Sequence, residues 1–167
     1  MIKITVESKR YNCTVDIKEK VAFIKGDSGV GKTEFTRRIS DRTRANRVSV
    51  SNGFNTVVLT QSTFEDICNK AERWLSKKPR EKALEEYWGS EENFPYYNCI
   101  IIIDDEDFVK SRDFSCFYNC DRYNYYIIIN RGKVSGISYS VDEIYDFVKD
   151  GKNHYIRKSY TEENIYR

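Results

Sequence analysis

An α/β fold of three layers, with a mostly parallel central sheet and antiparallel strands at its N-terminal edge, is predicted by three observations. Val21-Ala22-Phe23-Ile24 is apolar without alternation and stops at a glycine-rich turn. Cys99-Ile100-Ile101-Ile102-Ile103 and Tyr125-Tyr126-Ile127-Ile128-Ile129 are equally continuous, and each ends on a polar residue, Asp104 or Asn130. Strands that are apolar on both faces belong to the interior of a sheet covered on both sides, as in parallel sheets.

The other elements follow in chain order. Lys3-Ile4-Thr5-Val6-Glu7 and Cys13-Thr14-Val15-Asp16-Ile17 alternate, which predicts two half-exposed edge strands. Phe35 and Ile39, four apart among charged residues, predict a short amphipathic helix after the glycine turn. Val48-Ser49-Val50 and Thr56-Val57-Val58-Leu59-Thr60 flank a turn-rich linker and predict a hairpin or two offset strands. Ser62-Thr63-Phe64-Glu65 has capping-box spacing, and Pro79 and Gly89 bracket a second helix, so residues 62–89 read as a helical insertion. That pair serves as a lid, a partner surface or simple packing. Residues 108–123 predict a further helix, Ile137-Ser138-Tyr139 a short strand, and Ser140-Val141-Asp142-Glu143 the start of a helix carrying Ile144, Phe147 and Val148 and closed by Gly151. The aromatic tail from His154 is expected to return as an edge strand.

With 167 residues and no long flexible tract, the chain fits one domain, 1–167, able to bury roughly 70% of its unfolded surface. No stretch approaches a membrane span, and the N-terminus is too polar for a signal peptide, which predicts a cytoplasmic protein without membrane partners. Five cysteines, an odd number, suit free thiols of a reducing compartment. Cys116 and Cys120 face one another if they share a helix, yet no further Cys/His pair completes a zinc site, since His154 is the single histidine. The net charge of +2 selects neither a nucleic-acid binder nor an acidic mimic, although Arg37, Arg38, Arg42, Arg44 and Arg47 cluster locally and offer nucleic acid a contact.

The glycine turn carries chemistry. Gly26-Asp27-Ser28-Gly29-Val30-Gly31-Lys32-Thr33 fills the Walker A pattern G-x-x-x-x-G-K-[ST]. Bare backbone lets successive N–H groups point inward, and the following helix adds the positive end of its dipole, so the segment suits phosphate oxygens. Lys32 then reaches the β- and γ-phosphates, and the Thr33 hydroxyl sits on Mg²⁺. Asp104, at the C-terminal end of a buried strand, supplies the Walker B carboxylate for the same ion.

These two motifs resemble the P-loop NTPases, and the polar strands before the glycine turn resemble the opening of ABC-type ATPase domains. The layout, including Asp105-Glu106-Asp107-Phe108-Val109 and Tyr139-Ser140-Val141-Asp142-Glu143-Ile144-Tyr145, is also similar to small P-loop ATPases of Firmicutes mobile elements and phages. The resemblance implies the three-layer P-loop NTPase fold and ATP with Mg²⁺ as cofactors. It gives Asp105 or Glu106 the orientation of the attacking water and Asn130 the sensing of the γ-phosphate. Asn130 equally suits a strand-end turn. Asp105 stands where the ABC family carries Glu, which implies slow turnover, and the absence of an L-S-G-G-Q segment removes the basis for an ATP-sandwich dimer.

Three functions are therefore expected in order: a Mg²⁺-dependent ATP hydrolase coupled to a protein partner; a phage or mobile-element binding or inhibitor protein whose nucleotide site is structural or regulatory; and a small nucleotide or nucleoside kinase.

Overall fold

A computed structural model describes residues 1–25, 32–41, 47–74, 77–129 and 144–158. Strands β1 (Ile2–Glu7) and β2 (Asn12–Ile17) pair antiparallel, with Ile4 opposite Val15. Their alternation buries Ile2, Ile4, Val6, Cys13, Val15 and Ile17 on one face. β3 (Val21–Lys25) leads toward α1 (Lys32–Ser40), in which Phe35 and Ile39 are fully covered. Glu34 in its first turn and Arg37 and Arg38 in its last complement the helix dipole.

β4 (Arg47–Val50) pairs with β1, whereas β5 (Asn55–Val58) pairs with β6 (Cys99–Asp104). Between β5 and β6 lie α2 (Gln61–Trp74) and α3 (Arg80–Gly89). The start of α2 precedes the expected capping box, because the Thr60 hydroxyl accepts from the Thr63 N–H at 3.4 Å. Trp88 is buried and Trp74 exposed, so the two tryptophans of this pair do different jobs. A 3-10 turn (Asp107–Lys110) and α4 (Arg112–Cys120) replace the continuous helix expected over 108–123. The break falls at Ser111, whose hydroxyl accepts from the Phe114 N–H at 3.1 Å and starts a new helix there. β7 (Tyr125–Ile129), β8 (Ile144–Asp150) and β9 (Asn153–Lys158) complete the sheet.

The strand order is β4-β1-β2-β9-β8-β3-β7-β6-β5, and this overturns the expected three-layer P-loop arrangement. Parallel pairing runs through β8-β3-β7-β6-β5 and recurs at β2–β9; antiparallel pairing joins β4-β1-β2 and β9-β8. The sheet is thus mixed throughout, not a parallel sheet with antiparallel strands added at one edge. Its two outermost strands, β4 and β5, are consecutive in the chain and joined only by residues 51–54. Four residues span no more than about 17 Å from the last residue of one strand to the first of the next. The sheet must therefore curl until its edges approach, giving a nearly closed, barrel-like form. Asn52 (φ 61°) and Gly53 (φ 71°) make the tight turn, and Ser51 Oγ accepts from the Lys3 N–H at 2.9 Å.

Two apolar clusters follow from that curl. On one face Ala22, Ile24, Ile100, Ile102, Ile127 and Ile129 meet Phe35 and Ile39 of α1 together with Ile4 and Val15 from the far half of the sheet. On the other face Phe23, Ile101, Ile103, Tyr126 and Ile128 pack under Phe64, Leu84, Trp88, Phe114 and Phe117 of α2, α3 and α4. Consecutive isoleucines thus serve opposite faces, as their period of two requires.

Two further expectations are corrected. The helix predicted around Ile144, Phe147 and Val148 is strand β8, parallel to β3 with Phe23 opposite Ile144 and antiparallel to β9. Gly151 (φ 62°) turns that hairpin and closes no helix. The tail strand β9 lies between β2 and β8, not at an edge. The strand predicted at Ile137-Ser138-Tyr139 and the cap predicted at Ser140–Glu143 lie outside the described residues. Among the described residues, no helix is long and apolar enough to cross a membrane.

Candidate functional site

The three apolar runs singled out by the sequence are neighbours, and they end together. β7 lies between β3 and β6, with Ile24 opposite Ile129 and Ile129 opposite Asp104. At the usual spacing of about 4.8 Å per strand, the ends of β3 and β6 are about 10 Å apart. The chain leaving β3 enters α1 on the face of Phe35 and Ile39, whereas the chain leaving β6 enters α4 on the opposite face. Ligands of parallel strands bind beyond the carboxyl ends of those strands, which is the end that Lys25, Asp104 and Ile129 share here.

Gly26, Asp27, Ser28, Gly29, Val30 and Gly31 lie outside the described residues, as does Asn130. Their flanks are described. β3 ends at Lys25, immediately before the glycine segment, and Lys32 and Thr33 are the first two residues of α1. The first N–H groups of a helix have no intrahelical partner and suit an anion.

Across β7, Asp104 closes β6 and is half-buried, Asp105 is exposed, Glu106 is half-buried and Asp107 is exposed at the start of the 3-10 turn. Asp105 adopts φ 52°, in the left-handed region, while its N–H still donates to the Ile129 carbonyl at 2.8 Å. The β6–β7 ladder thus extends one hydrogen bond beyond the strand, and the chain turns sharply at the residue after it. Strain of this kind in a non-glycine residue concentrates at functional sites. Because β6 ends at Asp104, Asp105 and not Glu106 is the first residue past the strand.

A Thr hydroxyl and a single carboxylate are hard oxygen donors of the kind Mg²⁺ takes while keeping waters and phosphate oxygens as its other ligands. Thr33 and Asp104 match that donor set in type. Among the described residues, no group of three or more His, Cys, Asp or Glu side chains is arranged to hold a metal ion alone.

The arginine cluster is only partly available to a partner. Arg37 and Arg38 both bind Glu34, through Nη2 and Nε respectively, each at 2.5 Å, and Arg38 also donates to Ser8 Oγ at 2.8 Å. Hydrogen bonds from Arg37 and then Arg38 hold the Glu34 carboxyl down at about 2. Arg47 is exposed on β4 opposite Glu7, and Arg42 and Arg44 lie outside the described residues.

Sequence reasoning missed a polar centre at the other end of the sheet. Asp121 is 2% exposed; it accepts from the N–H groups of Tyr123 and Asn124 at 2.8 and 3.2 Å, from Asn124 Nδ2 at 3.0 Å, and from the Tyr126 hydroxyl. Asn124 Oδ1 in turn accepts from the Cys99 N–H at 2.9 Å, which ties the start of β6 to the start of β7. Lys20 Nζ donates to the Tyr118 carbonyl at 2.5 Å beside them. The only sequence signal was the Asp-x-x-Asn spacing after a helix. A cavity of about 490 Å³ opens there, and one of about 670 Å³ opens between α3 and α4; neither is lined by residues of the strand ends that carry Asp104.

No family model and no curated protein matches the chain. A solved structure described as a model of ribosome-bound archaeal Pelota and ABCE1 superposes with a TM-score of 0.49 at 13% identity over 93% of this chain. The alignment covers 33% of that chain, so the present chain spans about a third of the length of its structural neighbour.

Proposed function

We propose that the chain binds a nucleoside triphosphate, ATP by preference, together with Mg²⁺ at the shared end of β3, β6 and β7, and hydrolyses it slowly. One observation carries this reading: the Walker A segment joins the end of β3 to the start of α1, and Asp104 and Asp105 lie at the same sheet end two strand positions away, across β7. A phosphate cradle and a hard-cation ligand so placed are the two halves of a metal–nucleotide site.

In this reading the backbone of Gly26–Gly31 and the first turn of α1 receive the phosphate oxygens, and Lys32 neutralises charge on the β- and γ-phosphates. Thr33 and Asp104 hold Mg²⁺, whose charge when bound favours the transition state of phosphoryl transfer. Asp105, or Glu106 in its place, orients the attacking water, with Asn130 sensing the γ-phosphate. An aspartate is one methylene shorter than the glutamate found at this place in related ATPases, which favours slow turnover until a partner improves the geometry. The five free cysteines suit a reducing, cytoplasmic setting.

A phosphate-release assay on wild type, Lys32→Ala and Asp104→Ala tests the assignment. Turnover in wild type that falls at least tenfold in both variants supports it, and equal rates in all three overturn it.

A further inference from the structure

Residues 70–82, from the end of α2 into α3, hold six cations, Lys70, Arg73, Lys77, Lys78, Arg80 and Lys82, against two carboxylates, Glu72 and Glu81. The stretch therefore carries a net +4, more than the +2 of the whole chain. Neighbouring acids neutralise only part of it. Arg80 binds Glu72 and also donates to Asp113 Oδ2 at 3.0 Å, and Lys78 binds Glu86. Lys70, Arg73, Lys77 and Lys82 are exposed and enter no ion pair among the described residues.

Trp74, the last residue of α2, stands within this excess and is 57% exposed. Its indole leans on the buried ring of Tyr87, with centroids 5.3 Å apart at 60°, so it is held in place while more than half of the residue stays in water. Lys70 lies one turn earlier on the same helix face, and Arg73 is its direct neighbour. The core is filled without it, by Trp88 at 1% exposed.

We propose that this corner binds single-stranded nucleic acid, with a base stacked on the Trp74 indole and phosphates drawn to Lys70, Arg73 and Lys77. Every base has a π-face to offer an indole, and the sugar–phosphate backbone supplies the negative charge that these side chains lack. A duplex keeps its bases stacked on one another and offers Trp74 no such face. A lipid surface fits less well. The other apolar residues of α2, Phe64, Ile67, Cys68 and Ala71, pack into the core, so the helix has no second apolar stripe to enter acyl chains. The surface is also distinct from the arginines of α1, which pack on the opposite face of the sheet with Glu34 holding Arg37 and Arg38.

Trp74 is its own reporter. The full chain, without nucleotide, is titrated with oligothymidylate at low salt while tryptophan emission is followed. The expected result is saturable quenching that is absent in Trp74→Ala, whose remaining Trp88 is buried. Affinity measured by anisotropy of a fluorescein-labelled oligothymidylate is expected to fall at least about fivefold in Trp74→Ala, the low end of what one base stack contributes. With three phosphates neutralised, log K is expected to fall against log salt with a slope of about −2, and Arg73→Gln to make that slope shallower by about 0.7. Both substituted side chains are exposed, so the melting temperature of each variant is expected to match wild type. No quenching at low salt, equal affinity in wild type and Trp74→Ala, or equal affinity for a duplex of the same length overturns the proposal. Quenching by phosphatidylserine vesicles in place of the oligonucleotide overturns it too, and makes the corner a membrane contact.

Discussion

Asp105 donates its N–H to the carbonyl of Ile129 at 2.8 Å while holding φ 52°. Backbone pairing with β7 therefore fixes an L-residue in the left-handed region just past β6. Aspartate tolerates this better than most residues, and a β-branched residue tolerates it worst. Asp105→Gly is expected to preserve stability to within about 1 kcal/mol in urea titration, whereas Asp105→Val costs about 1–2 kcal/mol. On the proposed mechanism both variants bind nucleotide but release no phosphate. Loss of more than about 2 kcal/mol in the glycine variant would show that the Asp105 side chain, and not the backbone, holds this turn.

The Asp121 centre makes a separate prediction about the opposite end of the sheet. Tyr126 is completely buried and its hydroxyl donates to the Asp121 carboxylate, so Tyr126→Phe removes a bond to a charged acceptor while leaving the ring in place. Such a loss costs about 1.5–3 kcal/mol. Asp121→Ala should cost more, about 3 kcal/mol or above, because it strands the Tyr126 hydroxyl and the backbone N–H groups of Tyr123 and Asn124 and leaves the Asn124 amide with the Tyr96 carbonyl alone. Chemical denaturation of both variants checks the order. Equal and small losses, under about 0.5 kcal/mol, would mean that water replaces the carboxylate.

Acid removes the contribution of the α1 ion cluster only as pH falls from about 4.5 toward about 2. The folded Glu34 carboxyl titrates at about 2, below its ordinary 4.5, because Arg37 and Arg38 donate to it. A depressed carboxylate contributes stability that is present above its unfolded value and is lost as pH falls through its folded value. The stability difference between wild type and Glu34→Gln is therefore expected to be constant above a pH of about 4.5 and to shrink toward zero near a pH of about 2. The effect is small, since the cluster is solvent-exposed. A difference that instead grows on acidification would contradict the pairing.

What could be read from sequence was decided by local pattern, and what could not was decided by distant partners. The runs ending at Ile24, Ile103 and Ile129 had one physical placement, inside a sheet, and they mark the candidate site. The curl of that sheet was invisible. Residues 51–54 carry the same turn chemistry whether they close a hairpin or bridge the two outer strands of a nine-stranded sheet, as they do here. At Ile144, Phe147 and Val148 the apolar spacing fits a helix, and only pairing with β3, some 120 residues earlier by register with Phe23, selects a strand. Asp121 looked like an ordinary helix-end residue because its partner Asn124 is held in place by the Cys99 N–H and the Tyr96 carbonyl, more than twenty residues earlier. The facing of Cys116 and Cys120, by contrast, needed nothing beyond helical spacing.

The central claim is that the segment between β3 and α1 holds a nucleotide through Lys32, and ligand-dependent melting tests it most directly. Wild type and Lys32→Ala are melted without ligand and with ATP, GTP or ADP, each with and without Mg²⁺. The account predicts nearly equal melting temperatures without ligand and a Mg²⁺-dependent rise with ATP in wild type, worth about 2.7 kcal/mol at a hundredfold excess over the dissociation constant. That rise should be lost in Lys32→Ala. No rise in wild type with any nucleotide, or the same rise in both proteins, would contradict it.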